Sequence, residues 1–184
     1  MADLEVPRIY FDGEARPNRP DRSGRLRAAL VIVLGGKAQT YEWPIGRGDS
    51  HLAEWRAMLL AARVAAAMGF DRVELIGDNL GVIEQADGLT RRKPSDPEIV
   101  DLMSELEEIR TRCDIQIRQV GRDINLAGRL LEGGDTGSFR QGVNLLEDAE
   151  VTPWIEDAAA MVATQASPRT CETDQVVAPK GFGI

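Results

Sequence analysis

Three acidic residues stand where the sequence could place a metal site. Asp12 ends the apolar run PRIYFD, Glu54 comes early in the helix-forming stretch LAEWRAMLLAARVAAAMG, and Asp78 follows the apolar run RVELIG. If the two apolar runs are neighbouring parallel strands, Asp12 and Asp78 lie side by side, and Glu54 can complete a cluster. Converging carboxylates repel one another unless cations neutralise them. Oxygen ligands of this kind suit Mg²⁺ or Mn²⁺, and two such ions can hydrolyse a phosphodiester without a protein nucleophile.

Each of these acidic residues also has a structural explanation when it is taken alone. Asp12 precedes Gly13, and Asp-Gly is an ordinary turn pair. Glu54 near a helix N-terminus is favoured by the helix dipole, and Asp78 with Asn79 can cap the next helix. The sequence therefore indicates the metal site through the combination of the three and not through any one of them.

The other reactive residue types exclude several kinds of site. The chain has one histidine, His51, so it cannot build a site that needs two imidazoles, as the common zinc hydrolases do. Its two cysteines, Cys113 and Cys171, lie in unrelated segments and form neither a disulfide framework nor a zinc-ligand pattern. Of the side chains that commonly build functional sites, the carboxylates therefore remain as candidates in this sequence.

Length and charge predict one folded body followed by an appendage. The 184 residues exceed what a minimal domain needs. We expect the folded domain over residues 1–132 and an acidic, partly flexible extension over 133–184 with one helix near 153–165. The net charge is −8, and the extension alone carries eight acidic and three basic side chains. No apolar stretch is long enough for a membrane span and no signal sequence is apparent, so we expect a cytoplasmic protein without a membrane partner.

Hydrophobic periodicity gives the order of elements that must position the carboxylates. The pattern predicts strand, strand, strand, helix, strand, helix, helix, strand, helix. The first strand should stop at the Asp12-Gly13 turn, Ser50 should cap the first long helix, Gly69 should end it, and Asp96 should cap the helix that begins at Pro97. An antiparallel start followed by alternating strands and helices is typical of an α/β protein with a mixed sheet covered by helices.

Four segments resemble the motifs of type 1 ribonuclease H. They are YFDG, LAEWRAM with its alanine-rich continuation, ELIGDN and VGRDINLAGRLLE, and the resemblance covers residues 7–132. It implies the ribonuclease H-like fold, with a five-stranded mixed sheet in which strands 1-2-3 are antiparallel and 1-4-5 parallel. It also implies an endoribonuclease that uses two metal ions, Mg²⁺ or Mn²⁺, to hydrolyse the RNA strand of RNA–DNA hybrids, leaving 3′-hydroxyl and 5′-phosphate ends.

The resemblance implies roles for individual residues, and one position departs from it. Asp12, Glu54 and Asp78 match the first three acidic metal ligands, whereas the fourth ligand falls on Arg129. Arg129 could instead hold a substrate phosphate, or Glu132 or Asp123 could supply the missing carboxylate. Of the two, Glu132 is the better substitute, because it lies about one helical turn beyond position 129. The alternative is a non-catalytic nucleic-acid or protein interaction module that keeps the fold.

Contacts with the RNA–DNA hybrid are expected from two groups of side chains. The resemblance implies such contacts for Asn18, Ser50, Arg122, Asn125 and Arg129. Basic residues in the first loop and in a later connector could line the groove, because hybrids are recognised mainly through shape, 2′-hydroxyls and phosphates; they are Arg16, Arg19, Arg22 and Arg25, and residues 91–93. Charged loop residues are also common as ordinary solvated surface.

Overall fold

The structure, a computed structural model, describes residues 6–19, 21–90 and 94–133 and the backbone of residues 144–145. Its elements are β1 (Arg8–Arg16), β2 (Gly24–Leu34), β3 (Lys37–Gly48), α1 (Ser50–Ala67), β4 (Arg72–Gly77), α2 (Leu80–Ala86), α3 (Pro97–Arg110), β5 (Asp114–Gln119), α4 (Leu126–Leu131) and β6 (Asn144–Leu145). The element order predicted for residues 1–132 is confirmed.

The strands form one mixed sheet in the order β5-β4-β1-β2-β3-β6. Strand β1 pairs antiparallel with β2, β2 antiparallel with β3, and β1, β4 and β5 are parallel. The predicted five-stranded sheet is therefore confirmed. The two-residue β6 adds a short parallel pair to the start of β3. The helix expected near residues 153–165 lies outside the described residues.

Strand β1 is longer than the sequence predicts. It was expected to stop at Asp12-Gly13, but it continues to Arg16, and residues 13–16 pair with residues 25–28 of β2. The Asp-Gly turn signal is local, and the ladder of hydrogen bonds to β2 overrides it. Asp12 therefore lies in the middle of a strand, where the sheet fixes its backbone on both sides.

Helix α1 covers one face of the sheet and packs directly on β1. A Cβ atom at Gly13 would lie only 2.2 Å from the carbonyl oxygen of Ala53. Glycine is required here because the helix backbone approaches the strand this closely. The close approach brings Glu54, the next residue of the helix, next to the strand that carries Asp12. Gly69, with φ of 72°, follows the helix, as predicted.

The helix N-termini are capped by side chains that accept backbone hydrogen bonds. For α1 the cap is Asp49, whose Oδ1 accepts from the amide of Leu52 at 2.8 Å, so the prediction that Ser50 caps this helix is wrong by one residue. Asp96 caps α3, as predicted, with Pro97 in the first turn. Asn79 caps α2.

Two buried arginines join α1 to α3. Arg56, which is 1% exposed, pairs with Glu98 and donates to the carbonyl of Ile45 at 2.7 Å. Seven residues further along each helix, Arg63 pairs with Glu105. Buried charges are tolerated when they are paired and hydrogen-bonded, so these pairs fix how the helices sit together. Among the described helices, none is both long and apolar enough to cross a membrane.

Candidate metal centre and nucleic-acid interface

The parallel pairing of β1 with β4 brings Asp12 and Asp78 together. Tyr10 is aligned with Ile76 in this pair, so two residues further along each chain stand Asp12 and Asp78. Because side chains alternate along a strand, Asp12 points to the same face as Tyr10. Helix α1 adds Glu54, and one ligand oxygen from each of the three carboxylates lies within 4.8 Å of the others. The three predicted acidic residues are therefore one cluster.

The cluster holds negative charge that the protein does not fully neutralise. Burial, followed by the charge of Asp78, raises the pKa of Asp12 to about 7. Burial, followed by the charges of Asp12 and Asp78, raises the pKa of Glu54 to about 9. Glu54 Oε2 is buried without a hydrogen-bond partner, and Oε1 lies 3.5 Å from Asn79 Nδ2. A bound cation would satisfy this oxygen, so the site fits a divalent metal ion.

The positive charge of Arg122 acts on the carboxylates of the cluster. Its guanidinium lowers the pKa of Asp12, although less than burial raises it. Its own pKa is raised, chiefly by Glu132, whose Oε1 accepts from Arg122 Nε at 3.0 Å, and further by Asp12 and Asp78. The side chain is 72% exposed, so a phosphate at the cluster could reach it.

Glu132 lies outside the cluster and forms this ion pair with Arg122. Within the described part of the chain, the acidic group that could hold a metal contains Asp12, Glu54 and Asp78 and not Glu132. Glu132 follows the end of α4, and its half-exposed carboxylate turns to Arg122. The structure therefore does not support the prediction that it replaces the missing ligand.

Helix α4 approaches the cluster with a glycine where it comes closest. A Cβ atom at Gly128 would lie 3.2 Å from Asp12 Oδ2, which is tight packing. The next residue is Arg129, in the position where the resemblance places a fourth acidic ligand. Gly128 was not predicted as a site residue, and the only signal in the sequence was a glycine inside the short last predicted helix.

Asn125 has a structural role that excludes the predicted contact with nucleic acid. Its side chain is fully buried. Its Nδ2 donates to the carbonyl of Phe11 at 3.0 Å, and its Oδ1 accepts from the amide of Ala127 at 3.2 Å, capping α4. Asn125 therefore ties α4 to the strand that carries Asp12, and the prediction is wrong because both ends of its amide are used inside the protein.

Two other predicted contact residues lie together on the surface. Asn18, in the β1–β2 loop, donates to Ser50 Oγ, and its own oxygen accepts from the Ser50 amide, both at 3.2 Å. Both residues are exposed. They therefore form one polar patch at the N-terminus of α1, four residues before Glu54.

Arg22 fixes the loop that carries Asn18. It adopts a left-handed backbone conformation with φ of 58°, donates to Asp49 at 2.7 Å and also pairs with Asp96. These aspartates cap α1 and α3, so one side chain links the loop to two helix ends. Arg22 was predicted as a groove-lining residue, and the structure places its charge between two carboxylates instead. Residues 91–93 are outside the described residues.

The sheet order, the covering helices and the carboxylate cluster define this chain as a protein with the ribonuclease H fold. No family model matches its sequence. Over 81 residues it is 37% identical to Ribonuclease HI of Halobacterium salinarum, and this match spans 43% of the chain and 39% of that protein. The chain is thus similar in sequence to Ribonuclease HI over less than half of either chain.

Solved structures agree with this relationship. RNase H1 from Halobacterium salinarum superimposes with a TM-score of 0.58 at 28% identity, covering 70% of this chain and 99% of that one. An N-terminal RNase H domain from Mycobacterium tuberculosis superimposes with a TM-score of 0.56 at 18% identity, covering 86% of this chain and 99% of that one. LC11-RNase H1, solved in complex with RNA/DNA hybrid, superimposes with a TM-score of 0.56 at 23% identity, covering 65% of this chain and 88% of that one. The last two comparisons show the shared fold alone.

Proposed function

We propose that this protein is a metal-dependent endoribonuclease that hydrolyses the RNA strand of RNA–DNA hybrids. The observation that carries the proposal is the cluster of Asp12, Glu54 and Asp78, with a buried Glu54 oxygen that has no partner. The similarity to Ribonuclease HI of Halobacterium salinarum supports the reaction class. LC11-RNase H1, which shares this fold, was solved in complex with RNA/DNA hybrid, and this supports the choice of substrate.

The protein's own residues hold the reactants in place. Asp12, Glu54 and Asp78 would hold Mg²⁺ or Mn²⁺, which when bound supplies charge neutralisation at the phosphate and activation of a water. The proposal includes two ions. Three carboxylates offer six oxygens, and each Mg²⁺ ion needs only some of them because it keeps several waters as ligands. Arg122 would contact the phosphate at the cluster. Asn18 and Ser50 would contact the nucleic acid beside α1.

A second candidate function rests on Arg129. A guanidinium cannot bind a metal ion, and here it stands in the position where the resemblance places a carboxylate. In this alternative the protein keeps the fold and binds nucleic acid or protein without cleaving it. Arg129 is half-buried on α4, next to the glycine that faces Asp12.

Cleavage of a labelled RNA–DNA hybrid with Mg²⁺ or Mn²⁺ tests the proposal. We expect the wild type to cut and Asp78→Asn to lose activity, while Asp101→Asn, which removes an exposed carboxylate on α3, keeps it. An inert wild type alongside an active Arg129→Asp would identify a disabled relative and overturn the proposal. If all of these are inert although they bind hybrid, the interaction-module alternative is correct. Titration calorimetry with Mn²⁺ counts the ions.

A further inference from the structure

Arg122 lies in the turn that joins β5 to α4, beside the end of β4. The amide of Val120 donates to the carbonyl of Gly77, the last residue of β4, at 2.9 Å. Within the turn, the amide of Asn125 donates to the carbonyl of Gly121 at 3.0 Å. These hydrogen bonds fix the backbone that carries Arg122. Its exposed side chain, by contrast, is oriented only by the groups that it binds.

Glu132 occupies a fixed position at the end of α4. Its amide donates to the carbonyl of Gly128 at 3.1 Å, so its backbone completes the last turn of the helix. The carbonyl of the preceding residue, Leu131, accepts from Arg16 Nη2 at 3.4 Å. The N-terminus of α4 is tied to β1 by the buried amide that caps it. Glu132 is therefore an anchor for Arg122 on an element that is held at both ends.

The contact between the two side chains uses one edge of the guanidinium group. Glu132 Oε1 accepts from Arg122 Nε at 3.0 Å. Among the residues that the structure describes, neither Nη1 nor Nη2 of Arg122 has a hydrogen-bond or ion-pair partner. A guanidinium group carries five N–H donors in a planar fork, and two parallel donors match the oxygens of a phosphate. With the Nε edge occupied, the terminal edge of Arg122 remains available for such a ligand.

The guanidinium group stands close enough to the carboxylate cluster to interact with it. The pKa of Arg122 is raised chiefly by its hydrogen bond to Glu132, and further by the charges of Asp12 and Asp78. A phosphate bound at the cluster would therefore meet this guanidinium group. An exposed arginine samples many rotamers, and ordering it on binding costs conformational entropy. A partner that fixes the side chain beforehand lowers this cost.

We propose that Glu132 is a positioning residue, which holds the Nε edge of Arg122 so that the terminal edge meets the substrate phosphate at the carboxylate cluster. This inference rests on the proposed function and deepens it. Glu132 then acts on the reaction through an arginine and not as a metal ligand. Because both side chains are exposed to solvent, the expected effect is modest.

Cleavage kinetics of a labelled RNA–DNA hybrid with Mg²⁺ test the inference on the full chain. Glu132→Ala should lower kcat/KM roughly two- to five-fold, the range that exposed ion pairs provide. Glu132→Gln should keep most of the activity, because its amide oxygen can still accept from Nε. In an Arg122→Ala background, Glu132→Ala should cause no further loss, since the two residues act as one unit.

A matched control separates this effect from the loss of any exposed carboxylate. Glu108→Ala removes a carboxylate at the end of α3 that also pairs with an arginine, Arg112, and it should leave kcat/KM unchanged. Three results would overturn the inference: full activity of Glu132→Ala, an equal loss in the Arg122→Ala background, or a gain. A gain would show that Glu132 withholds Arg122 from the phosphate.

Nuclear magnetic resonance observes the orienting contact directly. The Nε–H signal of Arg122, assigned by its loss in Arg122→Ala, should exchange with water more slowly in wild type than in Glu132→Ala. After hybrid is added to the full chain carrying Asp78→Asn, the slow exchange should persist, because the phosphate uses the other edge. Fast exchange in the presence of hybrid would mean that Arg122 leaves Glu132 to bind the phosphate, which contradicts the inference.

Hybrid affinity gives a second cycle that does not depend on cleavage. With Asp78→Asn in every protein, Glu132→Ala should raise Kd when Arg122 is present and leave it unchanged with Arg122→Ala. If wild type cleaves hybrid but neither cycle shows coupling, this inference alone is wrong. If wild type binds hybrid without cleaving it, the proposed function is wrong and the affinity cycle decides the role of Glu132. A chain that neither binds nor cleaves hybrid overturns both.

Discussion

Replacing Glu54 by glutamine should stabilise the metal-free protein and abolish its response to metal. An ordinary glutamate is ionised at pH 7, but the pKa of Glu54 is raised from 4.5 to about 9, so the folded protein takes up a proton there. That uptake costs about 3 kcal/mol at pH 7. Because the titrations of Asp12 and Glu54 are coupled, the cost cannot be assigned to Glu54 alone. We therefore expect Glu54→Gln to raise the free energy of unfolding by about 1–3 kcal/mol. A carboxyl group with a raised folded pKa destabilises the fold above its unfolded pKa, so the gain should disappear towards pH 4.

Thermal unfolding with and without Mn²⁺ measures this effect. Each kcal/mol should move the midpoint by about 2–4 °C. Without metal, Glu54→Gln should melt above wild type at pH 7. With Mn²⁺ at a hundred times its Kd, the free energy of unfolding should rise by about 2.7 kcal/mol for wild type and by much less for Glu54→Gln. Glu132→Gln, which removes a carboxylate outside the cluster, should respond to Mn²⁺ as wild type does. A lower midpoint for metal-free Glu54→Gln, or no effect of Mn²⁺ on wild type, would refute the reasoning.

Three other predictions concern the site and the residues that hold it. The apparent affinity for Mn²⁺ should rise from pH 6 towards pH 9, because the raised pKa values of Asp12 and Glu54 mean that the metal must displace protons. Calorimetry in buffers of different ionisation enthalpy counts the displaced protons. An affinity that does not change with pH would contradict the raised pKa values. Arg22→Gln should cost about 1 kcal/mol of stability, since its pairs are partly exposed, and should weaken hybrid binding by loosening the loop it fixes; unchanged binding would separate this residue from the interface. Asn125→Ala should lower the free energy of unfolding, measured in urea, by about 2–4 kcal/mol, because it removes a helix cap and the hydrogen bond to the carbonyl of Phe11. A loss under about 0.5 kcal/mol would show that the cap is dispensable.

Local sequence was a good guide where the signal is short-ranged. Asp96 followed by Pro97 predicted the start of α3, and Gly69 predicted the end of α1, since caps act within one turn. Local sequence was misleading at Asp12-Gly13. There the turn signal was overridden by pairing with β2, which is a contact with residues far along the chain.

The amino-acid sequence by itself determined the order of elements, the mixed sheet and which three carboxylates to examine, because these depend on hydrophobic periodicity and on residue types. Only the tertiary structure decided that Asn125 is buried, that Arg22 is held by two helix caps, and that Glu132 turns away to Arg122. It also placed Arg25 and Arg47 side by side, since they meet only through strand register and a one-residue irregularity in the pairing of β2 with β3. Register and burial depend on contacts between distant segments, and a one-residue shift moves a side chain to the opposite face of the sheet.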